Sequence, residues 1–279
     1  MIRRILVPLD PTPFADAAVS YAIQLAQAHK AAITGFMVVD TPGIHDSVSP
    51  ISPGAAVYAK KAENRLEAEA HEKIQETLEK FASRCRAGGV PHEEIEDQGD
   101  PVEAIARKST FYDLLVVGLR THFHFQTTNG EGDTLQHLVG KLATPILAVT
   151  DKHVPLSDKM NVVVAYDGSP AAVRSLRQFT QLAAFSNPNI AILTADEELE
   201  TAKKIYAPAH EYLKVYGYTD VEPEWTPMHI ADAIDEEYVD KADLIVLGMH
   251  ARQGIFSFVV GSLTNHMIRM AKVPVFIGQ

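Results

Sequence analysis

Short apolar runs alternate with longer amphipathic ones along the whole chain. RILVPL is a β-branched-rich run, and Ala15 to His29 carries helical spacing. AAITGFMVV is the next predicted strand, followed by a loop containing Pro42, Gly43, Pro50, Pro53 and Gly54. A long charged helix is expected from about Tyr58 to Arg86, then a short strand at EEIED. The GDP turn at Gly99 to Pro101 opens a short helix. DLLVVG, a helix near Thr134 to Leu142, and PILAVT complete this half. Near-continuous apolar strands separated by helices predict a parallel sheet covered on both faces.

The pattern then repeats. Ile5 to Ala26 (ILVPLDPTPFADAAVSYAIQLA) aligns without gaps on Val162 to Ala183 (VVVAYDGSPAAVRSLRQFTQLA). Val7 meets Val164, Asp10 meets Asp167 and Pro13 meets Pro170. DLLVVG matches DLIVLG, and HLVGKLATPILAV resembles HMIRMAKVPVFIG, pairing His137 with His266 and Pro145 with Pro274. Three matches in one order at nearly constant offset indicate duplication. Further strands are expected near Val162, Ile190, Glu222, Leu244 and Val273. The expected fold is therefore α/β: two tandem, doubly wound, open parallel five-stranded sheets. Residues 1–150 form one domain, 151–159 a polar linker and 160–279 the second domain. Both copies end in short apolar strands that would lie at sheet edges. Pairing them would cover both, making the chain an intrachain pseudo-dimer, and two chains could associate further as a homodimer.

Composition narrows the partners. The 279 residues carry a net charge of −11, with 46% hydrophobic and 22% charged residues. No basic cluster is present, so a nucleic-acid partner is not expected. No apolar run approaches the ~20 residues of a membrane helix, so no membrane partner is expected either. MIRRILVPLD is too short in apolar residues for a secretory signal and reads as the first strand. The single cysteine, Cys85, excludes an intrachain disulfide and suits a reducing cytoplasm. In RCRAGG, with no base nearby in sequence, it reads as a partly buried thiol rather than a nucleophile.

In doubly wound sheets, ligands bind beyond the carboxyl ends of the strands where the strand order reverses. Asp10 and Asp167 follow the first strands of the two copies, and Gly118 and Gly248 end the fourth. Ser169 as N-cap with Pro170 at the first helical position accounts for DGSP structurally, whereas a carboxylate at a strand tip can also accept bonds from a ribose or an adenine amine. From Gly248 a loop of twelve residues leads to Gly261 and Ser262, which open the helix SLTNHMIRMA. A helix N-terminus offers unpaired N–H groups to an anion. Ser262 can cap that helix or touch a phosphate, and Arg252 could reach a phosphate from the loop. The plain alternative is a capped helix with a flexible lead-in. The chain contains no GxxxxGK[ST], no GxGxxG and no Gly-x-Ser-x-Gly, and no acid/base pair stands out, so no enzyme is expected. His122 and His124 in THFHF lack a nearby third ligand, so no metal is expected.

The order strand–Asp–Gly–Ser, strand–Gly–x–His–x–Arg–x–Gly, then Gly–Ser and a final helix–Pro–strand resembles the universal stress protein family, over nearly the whole chain and twice. The nucleotide-binding members of that family have glycine, two residues, glycine, nine residues, glycine, then serine or threonine. Gly248, Ala251, Gly261 and Ser262 fit this spacing, with Ala251 replacing the second glycine. The resemblance implies that ATP or another adenine nucleotide is bound in the second half without a required metal. Asp167 would face the adenosine, while Gly248, Ala251, Gly261, Ser262, Leu263 and Thr264 surround the ribose and phosphates. His250 matches a position where the family often has histidine, and Arg252 lies in the same loop. If position 251 needs a left-handed backbone, alanine costs about 1–2 kcal/mol, roughly tenfold to thirtyfold in affinity. In the first half the site is degenerate. Asp10 and Gly118 remain, but Thr121 stands where a glycine should be, and Gly132–Asp133 replaces Gly–Ser, setting a carboxylate beside a phosphate. The expectation is a cytoplasmic tandem universal stress protein that senses adenine nucleotide and acts through an unknown protein partner. A scaffold that binds no nucleotide and a slow ATPase are the alternatives.

Overall fold

The computed structural model describes residues 1–48, 55–127, 134–155, 159–182, 187–249, 252–253, 258–259 and 261–279. In the first half lie β1 (Arg4–Pro8), β2 (Ala32–Val39), β3 (His92–Gln98), β4 (Leu114–Gly118) and β5 (Ile146–Val149). Five longer strands of the second half correspond to them: β6 (Asn161–Ala165), β7 (Asn189–Ala195), β8 (Val221–Thr226), β9 (Leu244–Gly248) and β12 (Val275–Gly278). Within each half all neighbouring strands are parallel, in the order third-second-first-fourth-fifth. Each half is thus a doubly wound sheet whose order reverses between its first and fourth strands.

The last strands of the two halves join. β12 runs antiparallel to β5, pairing Val275 with Ala148 and Ile277 with Ile146, so a single ten-stranded sheet crosses the molecule. Both strands are buried throughout, and their pairing removes two apolar edges at once. The remaining edges are β3, with its charged sequence HEEIEDQ, and β8, which carries Pro223. Both features discourage further strand addition.

Helices cover both faces. On one face α1 (Pro13–His29), α3 (Ala56–Ala87), α6 (Pro170–Leu182) and α7 (Leu199–Val215) bury Leu25, Phe81, Phe179 and Leu213 against Ile33, Ile192 and Phe276. On the other face α4 (Pro101–Ser109), α5 (Thr134–Val139), α8 (Ile230–Ala233) and α9 (Ser262–Met270) cover Leu115, Val163 and Ile245. α8 continues as a π-helical turn, Ile234–Tyr238.

Two segments depart from the sequence reading. The stretch around Pro42 and Gly43, expected as loop, begins α2 (Thr41–Val48). The Asp40 carboxylate accepts from Gly43 N at 3.0 Å, and Pro42 sits in the first turn. Asp-Thr-Pro-Gly is therefore a helix start, and its turn-forming residues mimic a loop. The second departure lies between Gly248 and Gly261, where two short strands, β10 (Arg252–Gln253) and β11 (Phe258–Val259), pair antiparallel. Cys85 is fully buried in α3, and desolvation pushes its thiol up to about 11, which suits a packing residue.

Candidate functional site

The reversal of strand order opens a crevice at the carboxyl end of each half, and the two crevices differ. In the second half Val164 of β6 pairs with Val246 of β9, so Asp167 and Gly248 emerge side by side just beyond the sheet. Asp167 is exposed. Its Oδ1 accepts from Ser169 N at 2.9 Å, and Ser169 Oγ in turn accepts from Ala172 N at 3.2 Å, capping α6. Between them Gly168 has φ +72°, a left-handed conformation that favours glycine.

Gly248 is required by packing. A Cβ there would lie 2.5 Å from the backbone of both Ala171 and Ala172, so α6 approaches the strand end over a bare backbone. Gly118 does the same for α1, where a Cβ would meet Phe14 Cβ at 2.4 Å. A glycine ending the fourth strand is thus a requirement shared by both halves.

The chain returns to the crevice at α9. This helix precedes β12, which runs parallel to β9, so its N-terminus points to the same carboxyl end as Asp167. Gly261 occupies the N-cap position and supplies no side-chain cap. Ser262, read from the sequence as a cap or a phosphate contact, is the first helical residue and is exposed; Leu263 is half-buried and Thr264 buried. The first turn of a helix carries backbone N–H groups with no partner inside the helix. Met228 and Met249, neither singled out by the sequence, follow β8 and β9 and rest half-buried on the adjoining core. Thioethers adapt readily to a flat apolar ligand, and two methionines placed just past strand ends were the signal available for them. His250 and Ala251 lie outside the described residues, as does Gly132. Of Arg252 only the backbone, in β10, is described.

In the first half the same place is filled by the protein itself. Asp10 is 3% exposed. One carboxylate oxygen accepts from Thr12 N at 3.0 Å and Thr12 Oγ1 at 2.5 Å, and the other from His122 N at 2.6 Å. Burial raises the Asp10 carboxyl above its ordinary range, and the bonds from Thr12 and His122 pull the other way. Leu119, Thr121 and Phe123 are buried in the segment that follows β4, while Lys73 lies over the ring of Phe125. The histidine two residues on, His124, places Nδ1 2.7 Å from Oδ2 of Asp40, a residue 1% exposed at the tip of β2. Its bond to Asp40 raises the imidazole above its ordinary value, outweighing partial burial. His122 and His124 therefore serve two different carboxylates. Among the described residues no group of three or more histidine, cysteine or acidic side chains could hold a metal ion.

The universal stress protein family model matches residues 1–150 and 196–277. Among solved structures, a universal stress protein from Archaeoglobus fulgidus DSM 4304 aligns with TM-score 0.73 at 20% identity, covering 99% of this chain and 98% of that one. A functionally unknown protein from Pseudomonas aeruginosa PAO1 aligns with TM-score 0.62 at 15% identity, covering 99% and 92%. At these identities the likeness carries the fold. No curated protein sequence matches the chain significantly.

Proposed function

The chain belongs to the universal stress protein family, and on that premise we propose that its second half binds an adenine nucleotide, with ATP the first ligand to test, between β6 and β9. Asp167 accepts from the adenosine part. The N–H groups of Ser262, Leu263 and Thr264 at the start of α9 face the phosphates, with Gly248, Ala251 and Gly261 giving them room. His250 and Arg252 belong to the same loop. The protein acts in the cytoplasm by binding and signalling through a protein partner rather than by turnover.

One observation carries this reading above the others. Two aspartates occupy equivalent strand tips, and the second is exposed while the first is buried beneath its own chain. An exposed carboxylate at the same end of the sheet as a helix N-terminus whose N-cap, Gly261, supplies no side-chain bond offers both the acceptor and the donors that a nucleoside phosphate requires.

Calorimetry with ATP, AMP and a cyclic dinucleotide tests the proposal. The expected result is saturable binding of at least one of them, weakened in Asp167→Ala. Absence of heat together with an unchanged melting temperature would leave a scaffold that binds no nucleotide. ATP turnover abolished by changes at Ser262 or Asp167 would instead establish a slow ATPase.

A further inference from the structure

The opposite, amino-terminal end of the second half holds a groove. Asp113 and Asp243 mark the equivalence. Asp113 accepts from the backbone N–H of Arg4 at the start of β1, and Asp243 does the same for Asn161 at the start of β6. Immediately before these aspartates stand Tyr112 and Ala242. In the first half the Tyr112 ring is buried against the sheet. Its hydroxyl donates to Thr34 Oγ1 at 3.0 Å, and the Arg4 guanidinium carbon lies 4.4 Å from its centroid.

Every one of these partners changes in the second half. By strand register Arg4 becomes Asn161, Thr34 becomes Ala191, and Ile95 of β3 becomes Glu224 of β8. With alanine in place of the tyrosine, an open groove of about 940 Å³ remains. Its floor is apolar, made by Val163, Ala191 and Ala242. Its walls carry four carboxylates, Asp220, Glu222, Glu224 and Asp240, against one amine, Lys241. The Tyr238 hydroxyl donates to Glu224 and fixes its carboxylate beside the floor.

We propose that this groove binds a small organic cation with a flat apolar body, an arylalkylamine in chemical class. Its ring takes the place that the Tyr112 ring occupies in the first half, and its ammonium pairs with Glu224 and Glu222. The energetic logic is complementary on both counts. A ring buries the apolar surface that Ala191 and Ala242 leave partly open to water above the buried Val163, at about 25 cal/mol per Å². Burial, and after it the charges of Glu222 and Glu237, raises the Glu224 carboxyl above its ordinary range, and a cation relieves that excess of negative charge. This site lies at the amino ends of β6, β7 and β8, away from the carboxyl-end crevice, and stands independently of nucleotide binding.

Titration of the full chain with tyramine at neutral pH, followed by calorimetry, tests it. Saturable binding is expected, with p-cresol at least about tenfold weaker for want of the charge and 4-hydroxyphenylacetate showing none. Ala242→Tyr, which rebuilds the first half's own plug, and Glu224→Gln are each expected to weaken tyramine by about tenfold or more. Both variants are expected to keep the wild-type response to ATP. Wild-type affinity in Ala242→Tyr, equal affinity for p-cresol, or no saturable binding at all would overturn the proposal. A lysine- and tyrosine-bearing peptide that binds where tyramine does not would overturn the small-molecule assignment in favour of a protein partner.

Discussion

Two strand tips, Asp10 and Asp167, share a sequence position, a sheet position and a first hydrogen bond. Each carboxylate accepts from the backbone N–H two residues on, Thr12 at 3.0 Å and Ser169 at 2.9 Å. They then diverge. Asp10 gains the backbone N–H of His122 and is buried, while Asp167 stays exposed. Part of the cause is local. Pro11 locks φ near about −65°, whereas Gly168 adopts +72°, so the two turns must follow different paths. The larger part comes from the segment after β4. Residues 119–127 fold down over the strand ends, held by the His124–Asp40 pair, and close the first crevice with protein. The same acid is thus buried in one copy and exposed in the other. A duplicated motif by itself does not say which.

The largest effect tests what the two halves share. Gly118→Ala and Gly248→Ala each drive a methyl into the neighbouring helix, and each should cost about 2–3 kcal/mol in denaturant melts. Gly248→Ala should cost more, because its clash is with backbone atoms of two residues. A Gly248→Ala protein of unchanged stability that no longer bound ATP would assign that glycine to the ligand instead of to α6.

Next in size is the contrast itself. Asp10→Ala strands the partly buried donors of Thr12 and His122 and should lose about 1–3 kcal/mol of stability. Asp167→Ala, at an exposed site, should stay within about 0.5 kcal/mol while weakening ATP. Equal stability losses in the two variants would break the comparison. Ala251→Gly should tighten ATP by about tenfold if position 251 needs a left-handed backbone, and should leave affinity unchanged if only room is needed.

The smallest effect concerns the latch over Asp10. His124 has its folded value raised above the ordinary 6.5 by Asp40. The stability it contributes is therefore fully present below pH 6.5 and is lost as pH rises through the raised folded value. The imidazole is partly exposed, so the difference between wild type and His124→Gln should be less than about 1 kcal/mol. Melts across this range should show that difference shrinking with rising pH. A difference that is constant with pH would place the contact of His124 with Asp40 outside the protonation equilibrium.

Most of the architecture was legible because its causes are local or repetitive. β-branched runs such as RILVP, the capping pattern of DGSP and the 3.6-residue spacing of Ala15 to His29 each act over a few residues. The two apolar final strands also announced their pairing, since neither could remain an exposed edge. α2 was missed because Asp, Thr, Pro and Gly serve helix starts and turns alike, and only the Asp40–Gly43 bond distinguishes them. Capping by Ser262 failed by one position, within the usual uncertainty of a helix boundary.

By itself, the sequence determined the duplicated doubly wound fold, the reversal points and the residues that crowd them, because alternation and repetition are properties of the chain. The tertiary structure decided which strand-tip aspartate is buried. Asp10 is closed by a backbone N–H 112 residues away, and the acidic groove exists because Ala242 stands where Tyr112 plugs the other copy. Both outcomes depend on what distant segments bring to one place, and no local pattern encodes how much space they leave.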